Sequence, residues 1–314
     1  MSTVPAIELT GLTKHYGSFA ALDGVDLAVD EGSIFGFLGP NGAGKTTTLR
    51  ILNGLAHPTS GTARVLGHEA GSAQARGAVG FLPDVPGFYG WMTAEEFLRF
   101  AGGLFGLSGA VLDERVRVLL DLAGLSGVKT KVGGFSRGMK QRLGVAQALV
   151  NAPRLLMLDE PTSALDPMGR REVLEMVASL KGRTTVFFST HILADVERIC
   201  DSVAILDAGR VVAQASIADL KNRYGAHRVL IDVEGDDDGL AETLRSRAWA
   251  TTVERSSDGA LSVSVSDPDA AGREVPAIVA ERGLVLRRFD AGEIGLEEVF
   301  VDIVGAASKA GDSR

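Results

Sequence analysis

The feature that most constrains this chain is a glycine-rich run of eight residues, Gly39-Pro-Asn-Gly-Ala-Gly-Lys-Thr46. It matches the pattern GxxxxGK[S/T] at every fixed position, follows an apolar run at 33–38 and precedes a helical stretch. Glycines let backbone N–H groups approach phosphate oxygens closely, and the N-terminus of the following helix attracts an anion. The run therefore predicts a strand–loop–helix unit that binds the phosphates of a nucleotide. A glycine-rich turn that matches by chance is the alternative.

The predicted phosphate contacts extend over the whole loop and the first residues of the helix. Lys45 is expected to bring its positive charge close to the β- and γ-phosphates. The Thr46 hydroxyl can ligate Mg²⁺. The candidate nucleotide-binding residues of this segment are Gly39, Pro40, Asn41, Gly42, Ala43, Gly44, Lys45, Thr46 and Thr47.

A second motif lies at the end of another apolar run, where residues 155–158 are followed by Asp159 and Glu160. In P-loop enzymes, a carboxylate at the end of such a strand holds Mg²⁺. An adjacent second carboxylate can orient or deprotonate an attacking water. Two acids next to a buried strand are otherwise costly, because buried charge must be paired or must hold a metal. The alternative is a pair of solvated acids at an ordinary strand end.

Length and composition limit the classes of protein that remain. The chain has 314 residues, which at about 150 residues per domain suggests two domains. A net charge of −8 shows no basic surplus, so we expect no nucleic-acid partner. The lone Cys200 excludes an intrachain disulfide and a cysteine zinc site. No apolar run reaches the roughly 20 residues of a membrane span, so action at a membrane would need another chain.

The first 220 residues alternate short apolar runs with helix-length stretches, which predicts an α/β core with a mainly parallel sheet. Strands are predicted at 6–10, 25–30, 33–38, 62–66, 154–158, 185–189 and 203–207. Helices are predicted at 45–55, 94–105, 111–123, 138–150, 169–180 and 192–199.

The pattern changes after about residue 225. The remaining elements are predicted in the order βαββαβ. The strands are expected at 229–233, 251–254, 261–265 and 284–289, and the helices at 239–247 and 270–282. A final helix is expected near 296–304. That order is typical of a ferredoxin-like domain of the α+β class. We therefore predict two domains, 1–222 and 226–314, with a linker within 209–226.

A less generic motif occupies residues 135–142, which read Phe-Ser-Arg-Gly-Met-Lys-Gln-Arg. Ser136 can cap the helix that follows, and a capped helix N-terminus is a phosphate site. Here the chain resembles the ATP-binding subunits of ABC transporters, with the LSGGQ signature degenerate as FSRGM. The family's D-loop corresponds to Ser163-Ala-Leu-Asp166 and its switch histidine to His191. The resemblance covers about 6–220 and is closer to the drug- and ion-exporter branch, whose accessory region the C-terminal segment also resembles.

The resemblance implies a fold and a set of roles. The fold is a P-loop NTPase cassette with a mainly parallel sheet, an antiparallel β subdomain and a helical signature lobe. Tyr16 would stack on adenine, Glu160 would polarise the attacking water, and His191 would contact the γ-phosphate. A core aromatic and a strand-end histidine are the ordinary alternatives for Tyr16 and His191. Thr46 would hold Mg²⁺ directly and Asp159 through water.

The resemblance also implies that one chain cannot complete the site. Ser136 and Gly138 would reach the γ-phosphate bound by a second copy, and Asp166 would contribute from the D-loop, although it could be a simple helix cap. Two chains would then close head-to-tail over two ATP molecules, with Mg²⁺ as the second cofactor. One position departs from the family pattern, because Asp84 stands where Gln or Glu is usual. A carboxylate is still a good Mg²⁺ ligand, but its arm is shorter.

The expected function is that of an ATP-hydrolysing subunit of an exporter, held at the cytoplasmic face of the membrane by a separate transmembrane permease. The segment 86–92, which carries Phe88, Tyr89 and Trp91, could form a groove for a short helix of that partner. Alternatively, these rings cap the helical lobe. Two other functions remain open at this stage: a soluble ABC-type ATPase not engaged in transport, and a module that senses nucleotide without hydrolysing it.

Overall fold

The computed structural model describes residues 4–224, 227–235, 238–255 and 259–290. The chain divides into two compact units, Met1–Ile217 and Ala218–Arg314. Over the described ranges, no helix is both long and apolar enough to cross a bilayer.

The first unit contains ten strands and seven α-helices within its described residues. The strands are β1 (Ile7–Tyr16), β2 (Phe19–Val29), β3 (Ile34–Leu38), β4 (Ser60–Val65), β5 (His68–Glu69), β6 (Val79–Leu82), β7 (Leu155–Asp159), β8 (Thr185–Thr190), β9 (Ser202–Asp207) and β10 (Arg210–Ser216). The helices are α1 (Lys45–Leu52), α2 (Ala73–Gly77), α3 (Ala94–Leu104), α4 (Gly109–Leu122), α5 (Arg137–Ala148), α6 (Pro167–Ala178) and α7 (Leu193–Ile199), with a 3-10 helix at Val132–Gly134.

A six-stranded sheet in the order β10-β9-β3-β8-β7-β6 forms the centre of this unit. Its pairs are parallel except for β10 with β9, which is antiparallel. Every residue of β3, β7 and β8 is buried, as expected for parallel strands that are covered on both faces. The predicted α/β class with a mainly parallel sheet is confirmed.

A second sheet, in the order β2-β1-β4-β5, is antiparallel throughout. Its apolar residues share one core with β3, β7 and α1, so the loop between β3 and α1 lies against both sheets. The antiparallel β subdomain implied by the family resemblance is therefore present.

A helical segment, α3 to α5, lies between β6 and β7 in the chain. Helix α3 begins at a capping box formed by Thr93 and Glu96.

The second unit contains β11 (His227–Glu234), α9 (Asp238–Arg245), β12 (Ala250–Arg255), β13 (Leu261–Val265), α10 (Pro268–Glu281) and β14 (Val285–Asp290), after α8 (Ile217–Tyr224) at the division. The strands pair antiparallel in the order β12-β13-β11-β14. This is the predicted βαββαβ arrangement, with β11 and β13 at the centre of the sheet. Its core includes Trp249, Val263 and Val275. The helix predicted near 296–304 lies outside the described residues.

Several elements differ from the sequence-based expectation. The prediction of a linker within 209–226 is wrong for residues 210–224, because these residues form β10 and α8. Strand β10 is an edge strand without fully buried residues, so its sequence lacks the apolar run that marks the central strands. Strand β6 has only four residues, Val79–Leu82, and ends before Pro83. It is therefore too short for its sequence to show the alternation of apolar and polar residues that marks a strand.

A close approach at β6 gives a test of the sheet's packing. A Cβ on Gly80 would lie 1.9 Å from the carbonyl oxygen of Ala148, at the end of α5. We expect Gly80→Ala to cost about 2 kcal/mol or more of unfolding free energy, because backbone would have to move. For a unit of this size, thermal unfolding should shift down by about 4–8 °C. Gly77→Ala is the matched control, since an added Cβ there meets no atom within 4 Å; equal midpoints for the two variants would contradict the packing argument.

Candidate functional site

The glycine-rich loop joins β3 to α1, as its sequence predicts, and two of its glycines are required by close contacts. A Cβ on Gly39 would lie 2.3 Å from the carbonyl oxygen of Leu206. Gly44 has a φ of 111°, and a Cβ there would lie 2.6 Å from the carbonyl oxygen of Ala21. Any other residue at these two positions would push the loop away from the sheets. The glycines therefore fix the position from which α1 begins.

Lys45 is buried and turns back onto its own loop. Its Nζ donates hydrogen bonds to the carbonyl oxygens of Gly39 at 2.7 Å and Pro40 at 3.2 Å. The same Nζ lies 3.2 Å from Oε1 of Glu160. A buried ammonium group is thus held at the mouth of the loop by carbonyls and one carboxylate, where an incoming phosphate would find a positive charge.

Asp159 ends β7 and is almost wholly buried. Its Oδ1 accepts hydrogen bonds from Ser189 Oγ at 2.7 Å and from Thr46 Oγ1 at 3.3 Å. Burial raises the pKa of the Asp159 carboxyl above its ordinary value, and these two hydrogen bonds oppose the rise. Desolvation of the carboxylate is therefore the larger of the two effects on the pKa of Asp159. A cation beside Asp159 would compensate the buried negative charge. The carboxylate and hydroxyl oxygens together are hard ligands suited to such a cation.

Glu160 follows directly and joins three segments of the chain. Its Oε2 lies 2.9 Å from Nδ1 of His191, and its backbone N–H donates to the Ser189 carbonyl at 3.1 Å. Glu160 has a φ of 47°, a left-handed conformation that is unusual for a residue with a side chain. Its Oε1 is buried and accepts no hydrogen bond from the described residues, although Lys45 is close enough for an ion pair.

A cavity of about 320 Å³ lies beside the loop. It is lined by Phe19, Ala21, Asn41, Gly42, Gly44, Lys45, Thr46, Thr47, Asp84 and Glu160. Asp84 therefore lies at this cavity, and its Oδ1 accepts a hydrogen bond from Ser163 Oγ at 3.2 Å. The structure thus brings together the loop, the acids at the end of β7 and the segment that carries Asp84.

The aromatic residue that lines the cavity is Phe19, at the start of β2. Tyr16, the predicted adenine-stacking residue, ends β1 and is half exposed, with Lys14 Nζ 4.9 Å from the centre of its ring. Tyr16 and Phe19 are paired across the β1–β2 turn, so both belong to one hairpin end. Phe19 is not predicted from the sequence, because no spacing rule distinguishes it from a strand residue.

The remaining predicted residues form a separate cluster at the beginnings of α5 and α6. Ser136 caps α5 by accepting from the Met139 N–H at 3.2 Å, and Asp166 caps α6 by accepting from the Gly169 N–H at 3.1 Å. A Cβ on Gly138 would lie 3.5 Å from Gly169 Cα, so the two helix starts are neighbours. Among the described residues that line the 320 Å³ cavity, Ser136, Gly138 and Asp166 do not occur.

Ser189 is a further support of the site that the motifs do not predict. Ser189 is paired with Asp159 across the parallel strands β7 and β8, so both lie at the same edge of the sheet. Because parallel neighbours end together, a polar residue at the end of β8 could have been expected to contact the acids at the end of β7.

The chain is similar to proteins of one known family. The pattern of the ABC transporter family matches residues 22–163. The uncharacterized ABC transporter ATP-binding protein YxlF of Bacillus subtilis is 40% identical over 96% of this chain and 100% of its own length. The daunorubicin/doxorubicin resistance ATP-binding protein of Streptomyces peucetius is 37% identical over 97% of this chain and 94% of its own.

Among solved structures, an ATP-binding cassette determined as a dimer in a post-hydrolysis state with ADP and Pi is similar to this chain. The two are 25% identical with a TM-score of 0.61, over 67% of this chain and 98% of the cassette. The family pattern covers the glycine-rich loop and the acids at the end of β7, and the relatives align along nearly the whole chain. The chain therefore belongs to the ABC transporter family, as an ATP-binding subunit that hydrolyses ATP.

Proposed function

We propose that ATP is hydrolysed in the cavity beside the glycine-rich loop, with Glu160 as the base that acts on water. The observation that carries this proposal is the position of the Glu160 carboxylate between Lys45 Nζ and His191 Nδ1. One oxygen, Oε2, lies 2.9 Å from His191 Nδ1, and the other, Oε1, lies 3.2 Å from Lys45 Nζ. A carboxylate held in this way can accept a proton from a water while its neighbours keep it oriented.

The other roles follow from position. The loop residues Gly39, Pro40, Asn41, Gly42, Ala43, Gly44, Lys45, Thr46 and Thr47 bind the phosphates. Lys45 would exchange its carbonyl partners for phosphate oxygens, and its charge would stabilise the negative charge of the transferred group. His191 orients Glu160 and reaches the γ-phosphate. Either aromatic residue at the hairpin end, Tyr16 or Phe19, offers a ring face to the base.

Magnesium is the cation that we propose for the oxygen donors beside the loop. Thr46 would hold Mg²⁺ directly, Asp159 would hold it directly or through water, and Asp84 lies at the same cavity. Within the described residues, no group of three or more His, Cys, Asp or Glu side chains is arranged to hold a metal ion. That suits Mg²⁺, which in nucleotide sites is usually held by one or two carboxylates with phosphates and water. When bound, the ion neutralises phosphate charge.

A second copy of the chain would complete the site. Ser136, Gly138 and Asp166 are clustered at two neighbouring helix starts, away from the lining of the chain's own cavity. Helix N-termini attract phosphate, so this cluster could contact ATP held by a partner. A two-fold dimer would let each chain supply both halves, and the similar cassette was solved as a dimer.

We further propose that the chain drives export through a separate transmembrane permease, at the cytoplasmic face of the membrane. The support comes from the relatives, which include a drug-resistance ATP-binding protein aligned over almost the full length of both chains. This favours a transporter subunit over the soluble ATPase. The substrate would be bound by the permease.

The docking surface that we propose for the permease is an aromatic patch between β6 and α3. The rings of Tyr89 and Trp91 lie 4.8 Å apart, and Tyr89 also contacts Phe100 at 5.5 Å. Trp91 is 64% exposed, whereas Phe97 is buried beneath Tyr89 and Phe88. The inner rings therefore cap the helical lobe and the outer rings remain available to a partner helix.

We also propose that the two predicted domains have separate roles, with 1–222 as the ATP-binding cassette and 226–314 as an accessory domain. Residues 221–314 contain 12 basic and 18 acidic side chains, so much of the net charge of −8 belongs to this part. Its described core is closed by its own strands and helices. An acidic domain of this kind would adjust dimer or permease contact.

The proposed base can be tested with Glu160→Gln. The amide keeps the shape of the side chain but accepts a proton poorly, so we expect ATP turnover to fall at least about tenfold, or about 1.4 kcal/mol of barrier. ATP binding, measured with a fluorescent nucleotide, should persist. Glu175→Gln is the control, because Glu175 is exposed and pairs with Arg171 on the surface of α6. Turnover by Glu160→Gln at the level of that control would show that Glu160 is not the base.

The proposed dimer can be tested in the same background. We expect Glu160→Gln to form an ATP-dependent dimer, because nucleotide would bind without being consumed, and light scattering would detect it. Adding Ser136→Arg should keep the chain monomeric while it still binds one ATP. Ser126→Arg is a control on the same lobe, after α4. If the Ser136→Arg chain dimerises as readily as the Ser126→Arg chain, Ser136 does not act across an interface.

The docking patch can be tested with Trp91→Ala. We expect binding to membranes that contain the permease to weaken by about 2 kcal/mol or more, roughly 30-fold in dissociation constant. ATPase activity of the free chain should stay near wild type. Phe105→Ala is the control, because Phe105 is also exposed on the lobe but lies after α3. Recruitment of Trp91→Ala at the level of Phe105→Ala would show that Trp91 does not contact the permease.

A further inference from the structure

A buried carboxylate on α7 is unused by the site described so far. The Asp195 side chain is 1% exposed, yet it belongs to none of the sequence motifs. Its Oδ2 accepts a hydrogen bond from Thr162 Oγ1 at 2.6 Å, and its Oδ1 accepts one from Arg170 Nε at 2.6 Å. Both distances are short, as hydrogen bonds to a charged carboxylate are.

Thr162 and Asp195 lie close to Glu160 and His191 in the sequence. Thr162 comes two residues after Glu160, and Asp195 comes four residues after His191. The Thr162–Asp195 hydrogen bond and the Glu160–His191 contact therefore join the same two segments, one after β7 and one after β8. Arg170 adds a third point of attachment from α6, which begins just after the D-loop.

The segment after β7 needs such support. Glu160 has a left-handed backbone conformation that is intrinsically unfavourable for a residue with a side chain, so surrounding contacts must hold it. Asp195 is buried and Arg170 is partly exposed. Loss of its partners would leave the buried Asp195 charge without compensation, which is costly. The Asp195 network can therefore be expected to fix the Glu160 segment in one conformation.

We propose that Asp195 is a positioning residue that sets the geometry of the Glu160–His191 pair by holding Thr162 and Arg170. This inference rests on the proposed roles of Glu160 and His191. It predicts a separation of effects, because none of the three network residues lines the cavity among its described residues. Nucleotide binding should change little, whereas the rate of hydrolysis should fall.

The test compares Asp195→Asn, Thr162→Val and Thr162→Ser in the full chain. We expect kcat for ATP hydrolysis to fall about 10- to 100-fold in Asp195→Asn and Thr162→Val, as expected when reacting groups are misplaced. The dissociation constant for ATP should stay within about threefold. Thr162→Ser keeps the hydroxyl and should retain most of the activity. If Asp195→Asn fails to fold, the comparison of Thr162→Val with Thr162→Ser still tests the inference.

Asp201→Asn is the matched control, since Asp201 follows the same helix but supports the opposite end of the sheet. Its Oδ2 accepts from the Ile34 N–H at 3.0 Å, and its Oδ1 is paired with Lys181. Asp201→Asn should lower the thermal unfolding midpoint without lowering kcat at 25 °C. If Asp201→Asn and Asp195→Asn lowered kcat equally at equal losses of stability, Asp195 would have only a structural role.

A double variant separates positioning from general stability. If Asp195 acts through the catalytic pair, Asp195→Asn combined with His191→Ala should lower kcat by about as much as His191→Ala alone. If the double variant instead lost kcat by the product of the two single-variant factors, the inference would be overturned. If Glu160→Gln is inactive but Asp195→Asn and Thr162→Val turn over like wild type, this inference alone fails. If Glu160→Gln itself stays active, the proposed function fails first.

Discussion

The burial of the Glu160 carboxylate between a lysine and a histidine is the interaction on which the rest of the site depends. Lys45 lies 3.2 Å from one oxygen and His191 lies 2.9 Å from the other. These residues come from three separate segments, and the parallel order β3-β8-β7 brings their carboxyl ends to one edge. A buried charge without such partners would be strongly destabilising. The sheet order therefore supplies the partners that this charge needs.

The candidate site residues form two clusters. The glycine-rich loop and the acids after β7 surround the cavity, whereas the capped starts of α5 and α6 form another cluster. The two clusters are linked through the chain that follows Glu160, because Ser163 contacts Asp84 and the Ala164 carbonyl accepts from Arg137 at 3.3 Å. The segment that follows Glu160 therefore contacts both clusters.

Much of the fold could be predicted from patterns in the sequence. The alternation of apolar runs and helices predicts the parallel sheet, and the βαββαβ order after residue 225 predicts the antiparallel pairing of β11 to β14. Strands β6 and β10 could not be predicted, because one is too short and the other lies at an edge without a buried face. Edge and short strands are defined by their neighbours, which no local pattern records.

The sequence by itself determined the chemistry of the site, since the GxxxxGK[S/T] run and the acids after β7 carry it in their residue types. Only the tertiary structure decided which residues support those groups. Ser189 bonds to Asp159 across 30 positions and Asp195 bonds to Thr162 across 33, so no local spacing relates them. Likewise, only the folded hairpin placed Phe19 at the cavity and Tyr16 under Lys14. Motifs are local because a phosphate cradle is built from consecutive backbone groups. Supporting contacts are not, because buried charges find their partners wherever packing brings them together.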